Sequence, residues 1–205
     1  GKTQALDMVQ QMMRNPGSVI YVRQQEPAGL GHAVWCARHL AQSEPVAVLL
    51  ADDLILGTGC LGEMLSAYNG GNMVAVMDVP QNETASYGIV TPGADDGRIV
   101  EVNGLVEKPL PKDAPSNIAV VGRYIIEPGV FTHLDRQEQG AGGEIQLTDS
   151  LARQIGEVPF SGLRFSGERF DCGSKIGFLQ ANIAFALQRD ELGQHLKSWL
   201  TERVK

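Results

Sequence analysis

The 205-residue sequence predicts an α/β fold, with a mixed central sheet flanked by helices and further helices at the C-terminal end. Three features predict it. In the first half, apolar strand-like runs alternate with helix-like stretches, the pattern of parallel strands joined by right-handed crossovers. Beyond Pro80 the texture changes to short strands separated by turn residues, which points to partly antiparallel pairing. Helical periodicity then returns and runs to the end of the sequence.

The elements follow in order. Thr3 to Arg14 reads as an amphipathic helix stopped by Asn15-Pro16-Gly17, and Ser18 to Arg23 (SVIYVR) reads as a strand. Leu30 to Ala41 is helix-like. Val46 to Leu50 (VAVLL) is a continuous apolar run of the kind buried on both faces of a sheet, and Met73 to Met77 is a second one, with a helix over Cys60 to Tyr68 between them. Tyr87 to Thr91, Arg98 to Glu107 and Ile118 to Ile126 are the short strands of the second half. Between the last two, the Pro-rich stretch from Glu107 to Pro115 is an exposed loop, because apolar strands flank it on both sides. Helices are predicted at Gly129 to Leu134, Glu144 to Ile155 and Ile176 to Val204, the last as two helices joined near Asp190. Phe178, Leu179, Ile183, Leu187, Leu196 and Leu200 recur there at helical spacing; packing on the body is the first reading and a subunit interface the second.

Composition bounds the function. With 43% hydrophobic and 20% charged residues the chain has the means to bury a core, and one domain over residues 1–205 is expected. A net charge of −7 argues against nucleic-acid binding, which depends on clustered Lys and Arg. No apolar run approaches the roughly 20 residues that span a bilayer, and no basic-then-apolar leader opens the sequence, so a soluble, cytoplasmic chain without membrane contact is expected. Cys36, Cys60 and Cys172 lie too far apart for a CxxC pair or a zinc knuckle and read as reduced thiols. There is no G-x-S-x-G and no cysteine with an evident partner, so nothing points to a nucleophilic triad.

Four stretches carry candidate chemistry. Asp52-Asp53 directly follows the VAVLL strand, and ligands of open α/β sheets bind beyond the carboxyl ends of strands; Mg²⁺ takes one or two carboxylates plus phosphate oxygens. An aspartate at a strand end also serves as a cap. Gln24 to His32 (QQEPAGLGH) combines an amide able to pair with a nucleobase edge and glycines that allow close approach, or is a plain glycine turn. His32 and His39, seven apart on the following helix, read as surface or core histidines. Glu107-Lys108 offers an acceptor for sugar hydroxyls beside a point charge for phosphate, or a solvated pair. Asp171-Cys172-Gly173-Ser174-Lys175 offers a second metal carboxylate and a phosphate partner, or the cap of a helix. Separately, Gly57-Thr58-Gly59-Cys60-Leu61-Gly62 matches the dinucleotide pattern G-x-G-x-x-G, with Asp78 about twenty residues on as the ribose-binding acid. The reading is disfavoured because Asp52 to Leu56 intervenes between the buried strand and the first glycine.

Taken in order, QQEPAGLGHAV (24–34), VLLADD (48–53), SYGIV (86–90), LVEKP (105–109), SNIAVVGRY (116–124), GAGGEIQLTD (140–149) and RFDCGSK (169–175) resemble the bacterial UTP-glucose-1-phosphate uridylyltransferases over the whole length. The resemblance implies a Rossmann-like nucleotidyltransferase fold, Mg²⁺, a homo-oligomer, and conversion of UTP and glucose 1-phosphate to UDP-glucose and pyrophosphate. It assigns Gln24 and Gly29 to the uracil, Asp52 and Asp171 to the metal, Gly88, Glu107 and the backbone at Val120 to the glucose, and Lys108 to the sugar phosphate. Catalysis is then expected of Asp52, Lys108 and Asp171, by in-line attack of the sugar phosphate on the UTP α-phosphorus.

The family's glycine-rich loop, G-x-G-T-R followed by a lysine, is not found in residues 1–205, so relative to the family the chain reads as N-terminally truncated. These residues alone are therefore expected to hold sugar phosphate weakly and to turn over little UTP; brisk UDP-glucose formation by this polypeptide would refute that. Alternatives are a dTTP-using thymidylyltransferase, a catalytically silent regulatory homologue, and an NAD enzyme built on Gly57 to Gly62. The AGLGH (28–32) and GGEIQLTD (142–149) segments favour the uridylyl branch, and the presence of Asp52, Glu107, Lys108 and Asp171 speaks against silence.

Overall fold

A computed structural model describes residues 2–41 and 43–203. The first half carries α1 (Thr3–Met12), α2 (Leu30–Cys36), β1 (Val46–Leu49), β2 (Asp53–Leu56), α3 (Cys60–Ala67) and β3 (Asn72–Asp78). Then come β4 (Gly88–Asp95), β5 (Ile99–Glu107), β6 (Ile118–Ile126), α4 (Gly129–Leu134) and α5 (Leu147–Ala152). The chain continues through β7 (Phe160–Arg164), β8 (Glu168–Asp171), α6 (Lys175–Leu187) and α7 (Asp190–Arg203). The predicted mixed α/β fold is what forms. No helix among the described residues is long and apolar enough to cross a membrane.

Six strands form one sheet in the order β1-β6-β3-β7-β5-β4, and β2 pairs with β8 in a separate antiparallel ribbon. Among the named strands of the described residues, only β3 and β7 pair in parallel; β6 runs antiparallel to both β1 and β3. The parallel crossover expected from β1 to β3 is therefore present as direction but not as contact, because β6 lies between them. Strand β6 takes that central place because its residues are apolar on both faces. Ile118, Val120, Tyr124 and Ile126 pack with Val130, Leu134, Leu147 and Leu151 of α4 and α5, whereas Val121 and Ile125 pack with Cys60 and Met64 of α3. Each such buried aliphatic side chain stabilises the fold by about 1.5–3 kcal/mol relative to exposure. Burial also pushes the Cys60 thiol up to about 11. At pH 8 it is almost wholly neutral, so iodoacetamide is expected to label Cys36 and Cys172 in the native protein and to spare Cys60, as peptide mapping would read.

Several expectations are corrected. Ser18 to Arg23 forms no strand and is exposed throughout, Tyr21 to 93%. A β-rich sequence becomes a strand only with a hydrogen-bonded partner, and among the described residues it pairs with none. Val46 to Leu50 is not buried on both faces, because β1 is an edge strand whose residues alternate half-buried and exposed. The helix expected over Leu30 to Ala41 stops at Cys36 and resumes as a 3₁₀ turn at Arg38–Leu40, which carries His39. There the Arg38 side chain donates to the Trp35 carbonyl at 3.2 Å, the acceptor that an α-helical His39 N–H needs. The predicted helix from Glu144 is shorter, Leu147–Ala152. The tail divides near Asp190 as expected, with its predicted end at Val204 outside the described residues. It does not supply core: Ile176, Phe178, Leu179, Ile183 and Leu187 are all exposed, and only Gly177, Ala181 and Gly193 are buried.

Candidate active site

Strand β6 places Val120, Gly122 and Tyr124 on one face, two residues apart, and these line a hollow of about 280 Å³. Four carboxylates, Asp53, Glu107, Glu144 and Asp171, face it against two cations, Lys108 and Arg169. Larger cavities lie elsewhere. One of about 490 Å³, between β1 and α2, is almost wholly apolar; another of about 360 Å³, beside His133, has its Arg153 paired with Glu138. Volume alone therefore does not locate the chemistry; the convergence of charges does.

One wall of the hollow is built by the β4–β5 pair. Gly88 stands opposite Glu107 in register, and Glu107 Oε2 lies 3.1 Å from where a Gly88 Cβ would be, with Thr148 Oγ1 at 3.4 Å from the same point. Any side chain at 88 would displace the Glu107 carboxylate. Gly88→Ala is accordingly expected to shift the Glu107 carboxylate with the fold retained, a change that a crystal structure of the variant would show. Lys108 follows at a left-handed φ of 46°, costly for a residue with a Cβ, and its Nζ lies 3.8 Å from Glu107 Oε1. The strained turn leaves the ammonium half exposed at the mouth of the hollow.

The opposite wall is the β2–β8 ribbon. Asp53 is paired in register with Asp171, so the two carboxylates share a face. Like charges placed opposite repel, and Arg169, two residues before Asp171 on that face, supplies the compensation. Its guanidinium closes on Asp53 Oδ1, while Asp53 Oδ2 accepts from Gly122 N at 2.6 Å. Gly122 is required by contact here, because a Cβ would fall 2.5 Å from Asp53 Oδ2. Burial opposes the Arg169 charge, but the neighbouring Asp53, with Tyr87 and Asp171, holds it more firmly protonated than an ordinary arginine. Burial, and then the charges of Glu107 and Asp53, push the Tyr124 phenol upward, so it stays neutral.

Asp52, expected to point into the crevice, is exposed at the edge of the ribbon, and Asp53 lines the hollow instead. Asp52 nonetheless approaches Asp171. Asp171 Oδ1 and Asp52 Oδ2 lie 3.1 and 3.3 Å from one point beside Gly173, and the Asp52 carbonyl accepts from Cys172 N at 2.7 Å. Asp53, with both oxygens spent on Arg169 and Gly122, is structural. The capping alternative also holds for this segment: Ser174 Oγ accepts from Gly177 N at 3.0 Å, and Asp171 Oδ1 accepts from Gly173 N at 3.0 Å. Lys175 is exposed and does not line the hollow.

Gln24 and Gly29 sit together outside the lining of the hollow. Gln24 Nε2 donates to the Gly29 carbonyl at 3.1 Å and to His32 Nδ1 at 2.9 Å, leaving the side-chain carbonyl available as an acceptor. Gly29 has φ 107°, and a Cβ there would meet Glu144 and Ile145 at 2.8 Å, so only glycine suits this approach. The dinucleotide pattern does not present a phosphate cradle. Contrary to expectation a strand, β2, does lead into Gly57, but it belongs to the ribbon, and Gly57 packs against Gly167 at the ribbon's end. Asp78 pairs with Arg164. Arg169, Tyr87, Glu144 and Thr148 also line the hollow; all four fall within the resembling segments, which assign them no role. The alternation of Arg169 and Asp171 on one strand face was the one available signal.

The nucleotidyl transferase family model matches residues 3–186. The chain belongs to the nucleotidyl transferase family. Within that family, the chain is 51% identical to a UTP–glucose-1-phosphate uridylyltransferase of Komagataeibacter xylinus over 178 residues, covering 85% of this chain and 63% of the relative. It is 42% identical to the enzyme of that name from Bacillus subtilis (strain 168), over 96% of this chain and 68% of the relative. Among solved structures, a UTP-bound UGPase from Acinetobacter baumannii superposes with a TM-score of 0.87 at 36% identity, covering 98% of this chain and 71% of that one. A UDP-glucose pyrophosphorylase complexed with UDP-glucose gives 0.79 at 38% identity, covering 83% and 66%. The chain thus spans about two thirds of the length of these nucleotidyl transferase relatives, and its likeness to uridylyltransferases extends over nearly all of that span.

Proposed function

We propose that the protein carrying these residues transfers a uridylyl group from UTP to glucose 1-phosphate, forming UDP-glucose and pyrophosphate, in the cytoplasm and with Mg²⁺. The observation that carries the reading is the meeting of Gly88, Glu107, Lys108 and Asp171, distant in sequence, around one hollow. The uridylyltransferase relatives and the UTP- and UDP-glucose-bound neighbours support the choice of substrates. Three free cysteines suit a reducing compartment.

The residues fit a magnesium ion. An acid-rich hollow repels phosphates unless a divalent cation offsets it, and Asp52 and Asp171 converge with no third His, Cys, Asp or Glu close enough among the described residues to complete a protein cage. Mg²⁺ favours such sites, keeping positions for phosphate oxygens and water. When bound, it supplies charge stabilisation at the α-phosphate. The chain's own part is positioning and electrostatics. Glu107 accepts hydrogen bonds from sugar hydroxyls in the space that Gly88 leaves free, and the backbone at Val120 holds the ring's other side. Lys108 neutralises the sugar phosphate, whose oxygen attacks the α-phosphorus in line, with pyrophosphate leaving and no covalent enzyme intermediate. Gln24 and Gly29 bind the uracil edge.

UDP-glucose formation by the full-length protein from UTP and glucose 1-phosphate, followed by pyrophosphate release, tests the reading; equal or better use of dTTP in competition would transfer it to the thymidylyl branch. The exposed apolar row Ile176, Leu179, Ile183 and Leu187 supports a homo-oligomer, and light scattering that returns a monomer's mass would remove that part.

A further inference from the structure

We infer that Arg169 is a positioning residue that holds the carboxylate ribbon and the sugar-side wall of the hollow at a fixed separation, an inference that rests on the function proposed above. The ribbon of β2 and β8 stands outside the six-stranded sheet, so no ladder of backbone hydrogen bonds sets its distance from β4 and β5. Arg169 bridges that gap. Its Nε and Nη2 meet Asp53 Oδ1, its Nη1 donates to the Tyr87 hydroxyl at 3.2 Å, and its guanidinium carbon lies 5.5 Å from the centre of the Tyr87 ring.

Both ends of the bridge are tied onward. Asp53 Oδ2 accepts from Gly122 N at 2.6 Å, fixing the ribbon to the central strand β6. On the other side the Tyr87 carbonyl accepts from Lys108 N at 3.0 Å, and Gly88, next in the chain, opens β4 opposite Glu107. One side chain therefore connects the strand that carries Asp171 with the turn that carries Lys108. A planar guanidinium can serve a carboxylate and a phenol at once in a set geometry, whereas an ammonium of the same charge cannot. The side chain is 13% exposed, which limits the alternatives open to it.

In the full-length protein, Arg169→Lys keeps the charge and removes the fork. The expected result is a kcat for UDP-glucose formation lowered about 10- to 100-fold per competent site, while calorimetric titration with UDP-glucose still gives the wild-type stoichiometry. A merely structural lesion would behave otherwise, reducing the number of competent sites and leaving the turnover of each unchanged. Turnover per site within about twofold of wild type, below the smallest loss expected for an orienting partner, overturns the inference. Should R169K fail to fold, Tyr87→Phe decides, since it keeps the ion pair and removes only one hydroxyl. An expected kcat loss of about three- to tenfold supports the bridge, and an unchanged kcat overturns it. A wild-type protein that forms no UDP-glucose overturns the proposed function and this inference together, whereas an active wild type with indifferent variants overturns this inference alone.

Discussion

Asp171→Asn in the full-length protein is expected to lower kcat for UDP-glucose formation by about 10²- to 10³-fold without unfolding the chain. The substitution is nearly isosteric and the side chain is exposed, so packing changes little, and the amide oxygen can still accept from Gly173 N. What is lost is one of the two negative charges that converge beside Gly173, which on the proposed function is half of the chain's own contribution to a divalent cation. Asp52→Asn is expected to act in the same direction, and chelation by EDTA to abolish turnover reversibly. Circular dichroism separates a chemical from a folding defect. An Asp171→Asn protein that keeps more than about a tenth of the wild-type kcat at saturating substrate would remove the metal assignment, since charge stabilisation of this kind is worth several kcal/mol.

Asp53→Ala is expected to produce the largest loss of stability of any single change at the site, about 3–5 kcal/mol. Asp53 is 4% exposed, and both of its carboxylate oxygens are bonded inside the protein, one to Arg169 and one to Gly122 N. Removing the carboxylate leaves a buried guanidinium without its partner and an amide without its acceptor, and the cost of breaking such a pair exceeds the worth of the intact pair. For a chain of this size the midpoint of thermal unfolding should fall by roughly 6–20 °C, at about 2–4 °C per kcal/mol. Urea unfolding gives the free energy directly. A loss below about 1 kcal/mol, the range of exposed ion pairs, would show that water reaches the pair and that the ribbon is held by something else.

The contrast between neighbouring aspartates shows how far sequence reading reaches. Strand-end position marked the Asp52-Asp53 pair and the resemblance chose Asp52 for the crevice, but Asp53 is the one that faces inward while Asp52 stays exposed at the ribbon edge. That depends on β2 pairing with β8, two four-residue strands whose charges hide their period-two pattern. The same pairing makes Arg169 part of the site. Glu107-Lys108 stands out in the sequence as the end of a strand before a proline loop, a place that by itself also suits a solvated pair, and the tight approach of Gly88 to Glu107 follows from the register of β4 on β5.

Failures of the reading share a cause. SVIYVR has strand chemistry, VAVLL has the look of a central strand, and the last two helices have the spacing of core helices, yet the first is unpaired and exposed, the second is an edge and the third shows its apolar face to solvent. Local pattern states what a segment is fit to pack against, not whether a partner is in place.

The sequence by itself determined the fold class and most strand and helix positions, because these follow from apolar periodicity and turn chemistry along the chain, whereas the proposed sugar and metal residues follow from the resemblance to uridylyltransferases. Tertiary structure alone decided that β6 enters between β1 and β3, that Asp53 is structural while Asp52 and Asp171 converge beside Gly173, and that Arg169 spans the hollow. Those outcomes depend on register between segments as far apart as Asp53 and Arg169, whose contact is a free-energy balance of charge burial and pairing that neither segment carries alone.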